Sequence, residues 1–197
     1  MRVTDVMQPN HLTSMYDYPH TIENGHGERL TFRRRVRTPA GERVEGDNLI
    51  KPGAGPPMHS HHFQEEGFTV VQGRLGYQLL GESPQYAKAG ESAVFPAGVP
   101  HRFWNAGDSD LICESYCSPP DNIEFFLTSI FDAQKRGQRG RPEIFAAAFL
   151  AWRYRSEYTL FDMPRLVQKI AFPAIVLVGT LLGKYRKFAQ APQPRRS

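Results

Sequence analysis

Between Arg29 and Ser118 the chain breaks into short segments, nearly all bounded by Gly, Pro or Asp. "RLTFRRRV", "GDNLI", "EGFTVVQG", "LGYQLLG", "ESAVFP", "HRFWNAG" and "LICESYC" each hold eight residues or fewer, and no helical period survives among them. Closely spaced strands with turns between them confine such a region to an all-β sandwich or barrel. A chain of 197 residues has room for one domain of that kind and an extension. With 40% apolar and 22% charged residues, it can build an ordinary core.

The pattern changes at Pro119-Pro120. In "DNIEFFLTSIFDAQKRG", Ile123, Phe126, Leu127, Ile130 and Phe131 recur at helical spacing, with Asp121 or Asn122 to cap the start and Gly137 to end it. A second helix is expected from Pro142 to about Tyr158, and a third through "PRLVQKIAFPAIVLVGTLLGKYRKF" from Pro164. The chain therefore divides into an N-terminal arm (1–28), a β-barrel (29–118), a C-terminal helical extension (119–188) and a disordered tail (189–197).

Within the third helix, Ile170 to Leu182 is almost wholly apolar and is flanked by Lys169, Lys184, Arg186 and Lys187. A helix of that length reaches about 20 Å, short of the roughly 30 Å hydrocarbon layer. Pro173 would kink it further. The segment either packs on the barrel or a second chain, or lies in a membrane surface with its basic flank on anionic headgroups.

Charge excludes little. A net +4 without zinc-finger spacing, an aromatic–glycine RNA motif or a long basic block gives no case for nucleic acid. The densest cluster, Arg33 to Arg37, alternates as a solvated strand face would. Cys113 and Cys117 would sit about 13 Å apart along one strand. That is too far for a disulfide, which needs less than about 7 Å. Free thiols and the lack of an apolar N-terminal run point to the cytoplasm.

The chemistry concentrates in "GPPMHSHHFQEEG", Gly55 to Gly67. In a strand, His59 and His61 face the same side. Strand parity would add Glu65. A turn after His61 removes that constraint, so parity alone leaves Glu65 and Glu66 open. His101, after the Pro-Ala-Gly-Val-Pro turn, is a fourth donor that a closed barrel could bring to the first cluster. His11, His20 and His26 lack metal spacing.

These stretches resemble the two motifs of the cupin superfamily. Gly53, His59, His61, Glu66 and Gly73 are separated by five, one, four and six residues, as in the first motif. Gly90, Pro96, Gly98, His101 and Asn105 match every position of the second, sixteen residues further on. The second pattern would arise by chance on the order of once in ten thousand chains of this composition. The resemblance implies a double-stranded β-helix, a jelly-roll barrel similar to the quercetin-dioxygenase-like single-barrel members, and a homodimer. It selects Glu66 over Glu65 and carries the metal ligands to His59, His61, Glu66 and His101. His62 and Glu65 then fall outside the ligand set.

Three imidazoles and a carboxylate without thiolate suit iron(II), manganese, nickel, copper or zinc, and residue type does not choose among them. Such a site with open positions can bind a small organic substrate together with dioxygen, which makes a dioxygenase-type oxidoreductase the leading expectation. Glu66 would be both ligand and catalytic base. A non-redox isomerase, lyase or cyclase, and a non-catalytic ligand-binding barrel, are the alternatives.

Overall fold

Turn-forming residues cut the chain into short antiparallel strands that stack as two sheets. The computed structural model describes residues 14–138 and 141–195. One sheet has six strands in the order β1 (His20–Glu23), β2 (Glu28–Thr38), β3 (Gly41–Ile50), β10 (Leu111–Ser118), β5 (Glu65–Gln72) and β8 (Ser92–Phe95). The other has five, in the order β11 (Tyr158–Leu160), β4 (His59–His61), β9 (His101–Asn105), β6 (Arg74–Leu79) and β7 (Gln85–Lys88). Sequence neighbours such as β4 and β5 lie in different sheets, so the chain crosses repeatedly from one layer to the other. This is the double-stranded β-helix expected from the sequence.

Alternation sets what the sheets enclose. Phe68 and Val70 of β5, Leu75 of β6, Phe95 of β8 and Phe103 of β9 point inward and join Ile50, Leu111 and Cys113 in one buried cluster. Burying side chains of this size stabilises a fold by roughly 1.5–3 kcal/mol each. The turns depend on glycine where φ is positive. Gly73, between β5 and β6, has φ +90, and a β-carbon there would sit 2.9 Å from the Asp110 carbonyl oxygen. Cys113 and Cys117 are both free and buried in β10.

Three α-helices follow: α1 (Ile123–Arg136), α2 (Ile144–Arg153) and α3 (Phe172–Leu181). Ile123 of α1 packs under the first sheet with Ile22, Leu30, Phe32 and Val44. The Glu124 carboxylate accepts hydrogen bonds from Arg35, Tyr18 and Ser14, tying α1 to β2 and to the N-terminal arm. Phe125 and Ala133 of α1 meet Ala146, Leu150 and Tyr154 in a separate helical core. The Glu143 side chain caps α2 by accepting from the Phe145 and Ala146 amides at 3.0 and 2.8 Å.

The structure corrects four expectations. The sheet begins at His20, inside the stretch read as an arm, because Ile22 buries its side chain against Leu30 and Phe32. The second helix stops at Arg153 instead of continuing to Tyr158; Tyr158–Leu160 leaves the helix and pairs with His59–His61, whose outer edge would otherwise lack a partner. The third helix is not continuous: a five-residue π-helix, Val167–Ala171, precedes α3. Pro173 has no amide to bond one turn back, and the wider turn ahead of it takes up the mismatch. The tail, read as disordered, is held through residue 195: Arg153 donates to the Ala191 and Pro192 carbonyls, and Arg195 bonds Asp121 at 2.7 Å. His11 lies outside the described residues.

Candidate metal centre

Strand β4 carries His59 and His61 on one face, and β9 places His101 directly opposite His59 in antiparallel register. The chain then turns through His62–Gln64 and enters β5 in the facing sheet. There Glu66 shares its inward face with Phe68 and Val70. One ligand atom from each of His59, His61, Glu66 and His101 can be chosen so that all lie within 4.8 Å of one another. The turn breaks strand parity after His61, which is why Glu66 and not Glu65 faces the histidines.

The hydrogen bonds around the imidazoles determine which nitrogen is free. His59 Nδ1–H donates to the Pro57 carbonyl at 2.8 Å, and His101 Nδ1–H to the Val99 carbonyl at 2.9 Å. His61 Nδ1–H donates to Gln64 Oε1 at 3.0 Å, and Gln64 is oriented by donating its own Nε2 to the Pro120 carbonyl at 2.9 Å. In neutral imidazoles, all three Nε2 atoms are therefore bare lone pairs. His59 Nε2 and His61 Nε2 nevertheless sit 3.1 Å apart, and His101 Nε2 is 3.3 Å from Glu66 Oε2. Four potential acceptors converge here, an arrangement that a bound cation would satisfy.

Protons are poor candidates at His59 and His61. Burial first, and then the charge of His61, pushes the pKa of His59 down to about 3. Burial likewise lowers His61. For Glu66, burial acts to raise the pKa, but the facing His101, His61 and His59 rings outweigh it and hold the carboxyl below its ordinary value. Neutral imidazoles beside an ionised carboxylate are the protonation states that a divalent ion requires of its ligands. The residues present thus fit such an ion, and the nitrogen–oxygen donor set suits a first-row transition metal.

The surroundings fix the four side chains in place and define an opening. The Phe95 ring stacks on His101, with centroids 4.1 Å apart and planes 5° from parallel. Tyr158 meets the edge of His61 at 5.2 Å. His101 and His61 are buried while His59 and Glu66 are half-buried, so the approach from solvent passes the latter pair. Gly98, at φ +80, donates its amide to the His61 carbonyl at 2.6 Å, clamping the turn before β9 onto the end of β4.

The remaining candidates point elsewhere. His62 donates from Nδ1 to the Ser156 carbonyl and bonds Thr159 through Nε2, fastening β4 to β11. Glu65 accepts from the Tyr116 hydroxyl at 2.7 Å. His20 stacks on Tyr16, and His26 bonds the Gln134 carbonyl. Sequence reasoning missed the part played by Gln64, which reads as a turn residue, and by Tyr158, which reads as the end of a helix. Asn105 was legible as a motif position but not in its role: buried, it donates to the Ile50 and Ser109 carbonyls at 2.7 Å and anchors the loops beside β9.

Comparison with known proteins places similarity in the barrel. Residues 48–116 match the family described as "Cupin domain". The chain is 37% identical over 92 residues to quercetin 2,3-dioxygenase of Bacillus subtilis, covering 43% of this chain and 27% of that protein. It is 35% identical over 74 residues to "Probable oxidoreductase virH" of Hypocrea virens, covering 36% of this chain and 34% of that protein. The structure of KdgF from Halomonas sp. superposes with a TM-score of 0.44 at 19% identity, covering 53% of this chain and 90% of that one. The β-barrel of this chain is a cupin domain. The chain spans about a third or less of the length of these two curated relatives.

Proposed function

We propose that this protein is a metal-dependent oxidoreductase of the dioxygenase type acting on a small organic molecule, with His59, His61, Glu66 and His101 as the metal ligands. The convergence of three bare Nε2 lone pairs and an ionised carboxylate carries the reading. The named activities of the two curated relatives support the redox assignment. A divalent ion held by these four side chains would supply activation of a chelating substrate and of dioxygen. The chain's own contribution is orientation and proton handling. Pro57, Gln64 and Val99 hold the three Nδ1 protons, so each imidazole keeps a fixed tautomer. Phe95 fixes the plane of His101 and excludes water behind it. Glu66, ionised and on the open side, can accept the proton of a substrate hydroxyl.

The test begins with metal analysis of purified protein, where about one ion per chain is expected, falling to background in His101→Ala. Dioxygen uptake is then followed with iron(II)-loaded protein and the flavonol quercetin as probe. Turnover that persists without dioxygen would refute the dioxygenase assignment in favour of non-redox chemistry. A protein that takes up no divalent ion would refute the metal centre itself.

A further inference from the structure

Among the described residues, more than half of the exposed large apolar side chains fall between Leu166 and Leu182. Leu166 and Ile170 are four apart, Leu177 follows two turns later, and Leu177, Val178, Leu181 and Leu182 pair at spacings of three and four, so they line one side of the π-helical turn and α3. Leu181 is 79% exposed and Leu166 69%. The opposite side of α3 is already occupied: Phe172 and Gly179 are buried, and Tyr185 packs against Phe149 and Phe188. Polar groups along the stripe are satisfied internally. Thr180 donates its hydroxyl to the Val176 carbonyl, and the Gln168 amide is bound to the Leu160 and Met163 carbonyls.

The charge along this segment itself has one sign. After Met163 the chain holds seven of its 24 Lys and Arg residues and none of its 20 Asp and Glu, so the rest of the chain is net negative. Arg165, Lys169, Lys184 and Arg186 are exposed and form no ion pair among the described residues; Lys187 faces Asp132. A second copy laid across this face in a two-fold arrangement would bring basic ends against basic ends. A surface that is apolar inside and negative at its rim is the complement, and an anionic bilayer is such a surface. Among the described residues no helix is long and apolar enough to cross a membrane, and the π-helical turn with α3 reaches only about 22 Å. The segment is therefore too short to span a bilayer.

We propose that the stripe from Leu166 to Leu182 docks this protein onto anionic lipid, with its apolar side chains in the acyl boundary and Arg165, Lys169, Lys184 and Arg186 on the headgroups. The test is co-sedimentation of the full chain with phosphatidylcholine vesicles, with and without phosphatidylglycerol. Binding is expected to the anionic vesicles and to fall steeply with salt. Lys169→Gln with Lys184→Gln should weaken it by roughly twenty-five-fold, about fivefold for each cation lost. Leu177→Glu with Leu181→Glu should reduce it to background, and because both side chains are exposed the variant should keep the wild-type melting curve. Retained binding by that variant, or binding that ignores phosphatidylglycerol, overturns the proposal. So does a wild-type dimer that this variant converts to monomer while neither protein binds vesicles, which would assign the stripe to a second copy.

Discussion

Gln64 offers the sharpest perturbation of the metal centre, because it touches no ligand position yet fixes one. Its Oε1 takes the His61 Nδ1 proton at 3.0 Å and its Nε2 is spent on the Pro120 carbonyl at 2.9 Å, in a side chain only 2% exposed. Gln64→Leu keeps the volume but removes both bonds. His61 can then rotate or shift its proton to Nε2, where it would block the lone pair. Loss of such an outer partner weakens metal binding by about 10- to 100-fold. That is about 1.4–2.7 kcal/mol. A separate cost falls on the fold: two buried groups lose their partners, at roughly 1–3 kcal/mol each, offset in part by the apolar side chain. Gln64→Glu separates the two effects, since a carboxylate still accepts from His61 but cannot donate to Pro120. The assay is competition for zinc(II) against a chromophoric chelator, with metal-free melting curves recorded beside it. Gln64→Leu should lose affinity and Gln64→Glu should keep most of it, while both lose stability. A folded Gln64→Leu that binds zinc(II) as tightly as the wild type would refute the argument that this amide sets the His61 lone pair.

Two further outcomes follow from the same structure. Saturating metal at a hundred times its dissociation constant should stabilise the fold by about 2.7 kcal/mol. In a chain of this size that raises the melting temperature by roughly 5–10 °C, an effect that excess chelator should abolish in calorimetry. Burial pushes the Glu28 carboxyl above its ordinary value of 4.5 despite a hydrogen bond from Asn24, so the folded protein holds that proton more tightly than the unfolded chain. Its contribution is therefore present at pH below 4.5 and is lost as pH rises through the folded value. Glu28→Gln should gain stability relative to wild type across that interval and show a constant difference above it, as followed by melts at stepped pH; a difference that does not vary with pH would refute the assignment.

The barrel was legible in the sequence because its turns need specific residues. Gly73 and Gly98 occupy positive φ where other residues would be strained, and such positions punctuate the sequence at readable intervals. Glu66 could be chosen over Glu65 only through the spacing of a whole motif, since local parity favoured the wrong neighbour and the turn at His62–Gln64 cancels parity altogether. What stayed hidden is tertiary in origin. Strand β1 rests on a single buried side chain, Ile22, too little to register as a pattern. Tyr158 to Leu160 carry no strand signature; they are a strand because the edge of β4 demands one. The tail is polar and reads as unstructured, yet Arg153 and Asp121 hold it through contacts no local pattern encodes.

Strand β11 also sets a clock on the maturation of the site. His62 and Thr159, which join β4 to it, are 97 residues apart, and the segment matching the family ends at residue 116. At ~5–20 residues per second of synthesis, both histidines of β4 leave the ribosome roughly 5–20 s before the strand that covers their edge. During that interval His59 and His61 belong to a three-residue strand with one neighbour, β9, and only once that neighbour has itself been made. A fragment cut at the family boundary would keep all four side chains of the cluster and lack the strand that covers the edge of β4.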